Sequence, residues 1–346
     1  MSIVNRIYPD TRKATAAQAA GRGKTMASKK NQQTIDVKIA HVQAYHDNGS
    51  GRMEYSESYA QLGYENGFKL RTTDRWVTIQ DDGRTLETGR PVKGYGLEIE
   101  TECYGINSDT ILANVYDSII FPLFPAGLFK MQHDGSLGGD SSAECITMPM
   151  TKEAVRNLYP AFKALYDTYF PLFGISCSRS GNCGMHVNIS NACFGTAEEN
   201  QAEAIRKLYY IINRHFELMC RLLNRTGDTF YCDRMEYLNA QGMDLHYFRS
   251  NHHCSFNLGH YNSGRVELRL VGGQDNFETF RATMEIIFHL VDRVKRLTWK
   301  QCDSVPAIFA GCNQHVAARI DSVGQLLPHE MVEIEHNVKP ETGILD

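Results

Sequence analysis

Apolar and polar positions along the chain follow two periods, and each predicts its own elements. Period two marks strands. Gly96-Leu-Glu-Ile-Glu-Thr-Glu102 alternates, so Glu98, Glu100 and Glu102 share one face and Leu97 and Ile99 the other. Gly184-Met-His-Val-Asn-Ile189 puts His186 and Asn188 on one face, and Arg265-Val-Glu-Leu-Arg269 sets three charges opposite Val266 and Leu268. Glu144-Cys-Ile-Thr-Met148 reads as another strand, and Phe256 to Leu270 as two strands around a turn at Asn262-Ser263-Gly264. Nearer the start, Thr34-Ile-Asp-Val-Lys-Ile39 alternates, and Trp76-Val-Thr-Ile79 leads through Asp81-Asp82-Gly83 into Arg84-Thr-Leu86 as a hairpin.

The helical period gives the second set. Ile205, Leu208, Ile212, Phe216, Met219 and Leu223 form the buried stripe of one helix over 198–223. Phe280, Met284, Ile287, Val291 and Val294 do the same over 276–298. Leu158, Phe162, Leu165 and Tyr169 mark a third helix with Pro160 near its first turn, and 109–120 suits a short helix capped by Ser108 or Asp109. Strands and helices mix without regular βαβ alternation. The expectation is an α+β fold, a mostly antiparallel sheet covered by long helices. The chain divides into a basic leader (1–32), a small β-rich N-terminal segment (33–93), the main domain (94–325) and a tail (326–346).

Composition narrows the class. Of the 346 residues, 42% are hydrophobic and 22% charged, the balance of a soluble globular protein rather than a disordered chain or a coiled coil. The longest apolar candidate, Ile119 to Phe129, is interrupted by Pro122 and Pro125 and falls short of the roughly 18 residues of a membrane span. With no apolar signal segment and no C-x-x-C pair among ten cysteines, the reading is a cytoplasmic protein with reduced thiols and no membrane partner. Seven of the 36 Lys and Arg residues lie in positions 1–30 with a single acid, Asp10, which leaves the body at about −10. Such a body argues against a nucleic-acid reader, apart from what the leader could touch.

Chemistry enters where charged side chains occupy strand faces that should be apolar. Three such strands, each beginning beside a glycine (Gly96, Gly184, Gly264), suggest one sheet face lined with ionisable groups, bathed in water or occupied by ions. Carboxylates and one imidazole without cysteine suit magnesium or manganese. Arginines flanking a metal-binding glutamate suit a triphosphate, because planar donors hold its oxygens beside the bridging cations. Other motifs are weaker. Gly21-Arg-Gly23-Lys24-Thr25 ends like a phosphate-binding loop but has Gln18 where the first glycine is needed, and His252, His253, Cys254 and His260 alternate faces and cannot chelate together.

In order along the chain, Gly96-Leu-Glu98-Ile-Glu100, His133-Asp134-Gly135-Ser136-Leu137 with Glu144 downstream, Gly184-Met-His186-Val-Asn188 and Arg265-Val-Glu267-Leu-Arg269 resemble the amidoligase family. These are carboxylate–amine ligases with the catalytic fold of glutamine synthetase and glutamate–cysteine ligase, and the resemblance covers about 94–295. It implies a curved antiparallel sheet forming a funnel, ATP at one mouth, two or three Mg2+ (or Mn2+) ions on the sheet face, and an acyl phosphate attacked by an amine. It implies that Glu98 and Glu100 ligate different metals. His186 and Glu267 would share the metal bridging the ATP phosphates, and Glu144 would ligate the other, with Asp134 or Asp140 helping. Arg265 and Arg269 would hold the transferring phosphoryl group or the substrate carboxylate, and Arg249 would lie near the phosphates. Asn188 stands where glutamine synthetases carry a second histidine that contacts nucleotide. The base on the amine side would be Glu102 or Asp140. The substrates are a carboxylate and an amine, whether small molecules, peptides or proteins, and the parent fold often assembles into homo-oligomeric rings. Two other classes fit the same face: a non-catalytic binding or structural protein, and a metal-dependent phosphohydrolase.

Overall fold

In the computed structural model of the chain the described residues are 93–107, 109–125, 128–132, 137–179, 181–225, 232–248 and 253–324, with short strands between 46 and 88. The alternating segments pair as an open antiparallel sheet. Its first strands, β1 (His46–Asp47) and β2 (Met53–Glu54), are two residues each. A separate four-stranded antiparallel sheet follows, of β3 (Tyr64–Glu65), β4 (Lys69–Leu70), β5 (Arg75–Ile79) and β6 (Thr85–Thr88), in which Ile79 pairs with Thr85 across the hairpin read from the sequence. The alternating strand Thr34–Ile39 lies outside the described residues.

The remaining strands belong to the large sheet: β7 (Tyr95–Cys103), β8 (Phe129–Gln132), β9 (Ser141–Thr147), β10 (Ile175–Ser176), β11 (Met185–Ser190), β12 (Phe256–Asn257) and β13 (Arg265–Leu268). Their order among the described residues is β1-β2-β8-β9-β7-β11-β13-β12, with β10 also paired to β7, and every pairing is antiparallel. The longest strand, β7, therefore sits at the centre and brings β9 and β11 against its two edges.

The odd-numbered face of β7 is apolar and carries the core. Leu97, Ile99, Val187, Ile189, Val266 and Leu268 are all shut off from solvent, and each contributes about 2 kcal/mol of burial. The helix Phe277–Val294 packs on this face, with Phe288 edge-on to Tyr95 at 4.7 Å and Phe280 against Phe162 at 4.5 Å. Asn276 caps that helix by accepting from Thr279 N, and Asp167 Oδ1 accepts from Phe277 N at 2.9 Å, so its first turn is fixed twice. The helix expected over 198–223 is two helices, Glu198–Arg214 and Phe216–Leu222. His215 breaks it, with backbone angles of −105° and 36°, because its Nε2 is drawn 2.9 Å from the Cys302 carbonyl. No disulfide joins the ten cysteines, all of which are buried. Among the described residues, no helix is long and apolar enough to cross a membrane.

Candidate metal centre

Strand register sets the charged positions side by side. Glu100 pairs with Glu144 across β7 and β9, Glu98 with His186 across β7 and β11, and Asn188 with Glu267 across β11 and β13. Glu267 also pairs with Asn257 on β12. Alternate residues point the same way, so these side chains line the face opposite the core.

The His186 imidazole is the hub. Its Nδ1 lies 3.3 Å from Glu98 Oε2 and 3.6 Å from Glu267 Oε1, and its Nε2 lies 3.6 Å from Glu100 Oε1. Two sets of ligand atoms result, Glu98–His186–Glu267 and Glu100–Glu144–His186, each within 4.8 Å of one another. Glu98, Glu144, His186 and Glu267 are at most 8% exposed. These four side chains are therefore not bathed in water.

Neighbouring groups fix the carboxylates. Asn188 Nδ2 donates to Glu98 Oε1 at 2.7 Å, Asn257 Nδ2 to Glu267 Oε2 at 2.8 Å and Arg269 Nη1 to Glu267 Oε1 at 2.7 Å. Gly184 N donates to Glu100 Oε2. A Cβ at Gly184 would lie 3.1 Å from Arg225 Nη1, 3.2 Å from the Val271 carbonyl oxygen and 3.4 Å from Glu100 Oε2. The missing side chain leaves room for both Arg225 and Glu100 at this end of the strand.

The electrostatics follow from this crowding. Burial alone pulls the His186 pKa down, but the Glu100 charge and the Glu98 hydrogen bond outweigh it and push it up to about 9. Burial pushes the Glu98 carboxyl up. The His186 hydrogen bond and charge, then Arg265 and Asn188, overcome this and bring it down to about 2. The imidazolium thus serves as an internal cation among the carboxylates. A metal ion bound here would displace that proton, since a histidine ligand is neutral.

The donor set fits a hard divalent cation. Both sets are carboxylate oxygen plus one imidazole nitrogen, and no cysteine belongs to either. Asn188 is 1% exposed, and among the described residues its Oδ1 has no hydrogen-bond donor. Glu98 takes the hydrogen from the nitrogen side, which leaves that buried carbonyl oxygen as an unused acceptor.

Of the residues singled out from the sequence, Glu98, Glu100, Glu144, His186, Asn188, Glu267 and Arg269 stand together on this face. Arg265 is 5% exposed and near enough for its charge to act on Glu98. Asp134 and Arg249 lie outside the described residues. Asp140 belongs to neither ligand set; it is exposed, and its Oδ2 accepts from Gly105 N at 2.6 Å. Glu102 is fully buried one step along β7 from Glu100, and accepts from Tyr104 Oη at 2.7 Å and Gly138 N at 2.9 Å.

Sequence reasoning missed Asn257 and Arg225. The hairpin centred on Asn262 already places Asn257 opposite Glu267, so that contact was within reach of a register argument. Arg225 follows the helix Phe216–Leu222 with no local pattern to distinguish it. No protein-family model matches the chain, and no curated protein matches it.

Proposed function

We propose that the chain is an ATP- and Mg2+-dependent carboxylate–amine ligase of the amidoligase type, its open sheet corresponding to the funnel of a glutamine synthetase-like catalytic domain. The observation that carries this reading is the pair of ligand sets sharing His186, buried on one sheet face and bordered by Arg265, Arg269 and Arg225. Carboxylates alone would repel a triphosphate; carboxylates that hold cations, beside guanidinium groups, attract one.

In this reading Glu98, Glu267 and His186 hold one divalent ion, and Glu100 and Glu144 the other. Bound there, the ions supply charge neutralisation for the phosphates. Asn257 and Arg269 keep Glu267 in place. Arg269 and Arg265 face the γ-phosphoryl group as it passes to the substrate carboxylate, and the amine then displaces phosphate from the acyl phosphate to give an amide. Glu102 or Asp140 takes the amine's proton.

Titration calorimetry tests the reading. The wild type is expected to bind ATP only with Mg2+ present, and Glu267→Gln, folded by circular dichroism, is expected to lose that binding. Failure of the wild type to bind Mg-ATP, or undiminished binding by Glu267→Gln, would remove the assignment. Phosphate release that needs no amine would assign hydrolysis instead.

A further inference from the structure

Arg225 is placed with unusual care. Asn224 adopts a left-handed backbone with φ of 61°, the only residue other than glycine to do so among the described residues. Its Nδ2 donates to the Gly273 carbonyl at 2.6 Å, Gly272 N donates to the Leu223 carbonyl at 3.0 Å, and Arg225 N donates to the Cys220 carbonyl at 2.7 Å. This clamp turns the chain out of the helix Phe216–Leu222 and aims Arg225 over Gly184 beside Glu100.

Among the described residues, part of the guanidinium is left without a partner. Arg225 is 7% exposed, yet its Nε has no hydrogen-bond partner among the described residues. None of the ion pairs among those residues includes it. Among the described residues the Cys232 thiol, a weak acceptor, lies close enough for Arg225 to counter the upward push of burial on it. Arg269 has Glu267 at 2.7 Å, whereas Arg225 has no carboxylate within ion-pair distance among the described residues. A buried guanidinium is costly unless an anion shares its site.

We infer that Arg225 is the binding residue for an oxyanion, a phosphate or carboxylate group, at the Glu100 end of the charged face. A planar donor whose buried Nε lacks a partner among the described residues suits such a group, and a cation on Glu100 and Glu144 would offset their repulsion of it. As the place of a substrate group in the ligase reaction, the assignment rests on the reading above.

The test titrates orthophosphate and malonate separately into the full chain with Mg2+ present, following thermal melting and heat of binding in wild type and Arg225→Met. At least one anion is expected to bind the wild type saturably and raise its Tm. Arg225→Met is expected to bind it about tenfold or more weakly, the loss of a charged hydrogen bond. In anion-free buffer Arg225→Met should melt at or above the wild-type temperature, because a buried charge with no ion-pair partner among the described residues has been removed. Phosphate acting alone assigns a phosphoryl group, and malonate acting alone a substrate carboxylate. Should Arg225→Met not fold, Arg225→Lys, which keeps the charge without the planar fork, must show the weakened binding. No binding of either anion to wild type, or undiminished binding by the folded variant, overturns the assignment. Orthophosphate binding that needs Arg225, in a protein that does not bind Mg-ATP, would retire the ligase reading and leave the oxyanion site standing.

Discussion

Glu285, on the helix Phe277–Val294, and Glu98, on β7, are carboxylates almost equally withdrawn from solvent, at 4% and 7% exposure. Their surroundings differ in kind. Glu285 accepts from Arg156 Nε at 2.8 Å and Nη2 at 2.6 Å, from Tyr159 Oη at 2.8 Å and from Asn313 Nδ2 at 2.8 Å. Four donors, two of them from one bidentate guanidinium, saturate it. Glu98 has only the Asn188 amide at 2.7 Å and a His186 imidazole at 3.3 Å that also faces Glu100 and Glu267, and an orphaned Asn188 oxygen and an Arg225 with an unpartnered Nε lie on the same face. Buried charge is therefore no mark of a site by itself. A saturated cluster holds the fold together, and an unsaturated one is built for something that arrives later.

The largest test of that contrast is Arg156→Met. It leaves Glu285 buried without its counter-charge, and should cost about 3 kcal/mol of stability in urea unfolding, the low end for a broken buried pair because a third of Arg156 is exposed. The acid limb gives a second readout. Burial pushes the Glu285 carboxyl up, but the Arg156 hydrogen bond and charge win and hold it below its ordinary value. Its contribution is thus present above the usual carboxylate range and is lost as pH falls through the lowered value. In Arg156→Met burial dominates and acid relieves the stranded charge, so the gap between variant and wild type should narrow as pH falls. A constant gap would mean that Arg156 acts by packing alone.

On the charged face the same kind of experiment should give the opposite pattern. Glu100→Gln keeps an acceptor for Gly184 N and removes one carboxylate from the His186 cluster. Its stability without divalent cations should stay within about 1 kcal/mol of wild type. Mg2+ or Mn2+ at a hundred times its dissociation constant should stabilise wild type by about 2.7 kcal/mol, and Glu100→Gln should lose most of that gain. Equal cation stabilisation of both proteins, read from melting curves with and without metal, would place the ion elsewhere.

How much of this was legible depends on which interaction fixes each residue. Period two assigns Glu98, Glu100, His186, Asn188 and Glu267 to strand faces, and the hairpin at Asn262 fixes Asn257 against Glu267. The antiparallel sheet and its long covering helices follow from the same patterns. Other features belong to contacts between distant segments. That β7 lies between β9 and β11 is a choice of partner no single strand encodes. The break at His215 comes from the Cys302 carbonyl far along the chain, and Arg225 acquires its place from Gly272 and Gly273 closing on Asn224. Glu285 shows the limit from the other side. It reads as one more charge on an amphipathic helix, and only the Arg156, Tyr159 and Asn313 donors make it a structural centre.

The smallest expected effect bounds the comparison from the solvent side. Lys163 Nζ meets Asp167 Oδ2 at 2.6 Å across one helical turn, a shorter contact than most in the charged face, yet Lys163 is 59% exposed. Water screens such a pair, and ordering the long side chain offsets much of the attraction, so Lys163→Gln should cost no more than about 0.5 kcal/mol. The loss should shrink further at high salt. Asp167 keeps its other task under this change, because its Oδ1 still accepts from Phe277 N and fixes the first turn of the long helix. Urea unfolding of Lys163→Gln at low and high salt checks both statements. A salt-independent loss approaching that of Arg156→Met would mean that contact length, rather than burial and saturation, sets what a charge pair contributes in this protein. The distinction between Glu285 and the His186 face would then need another basis.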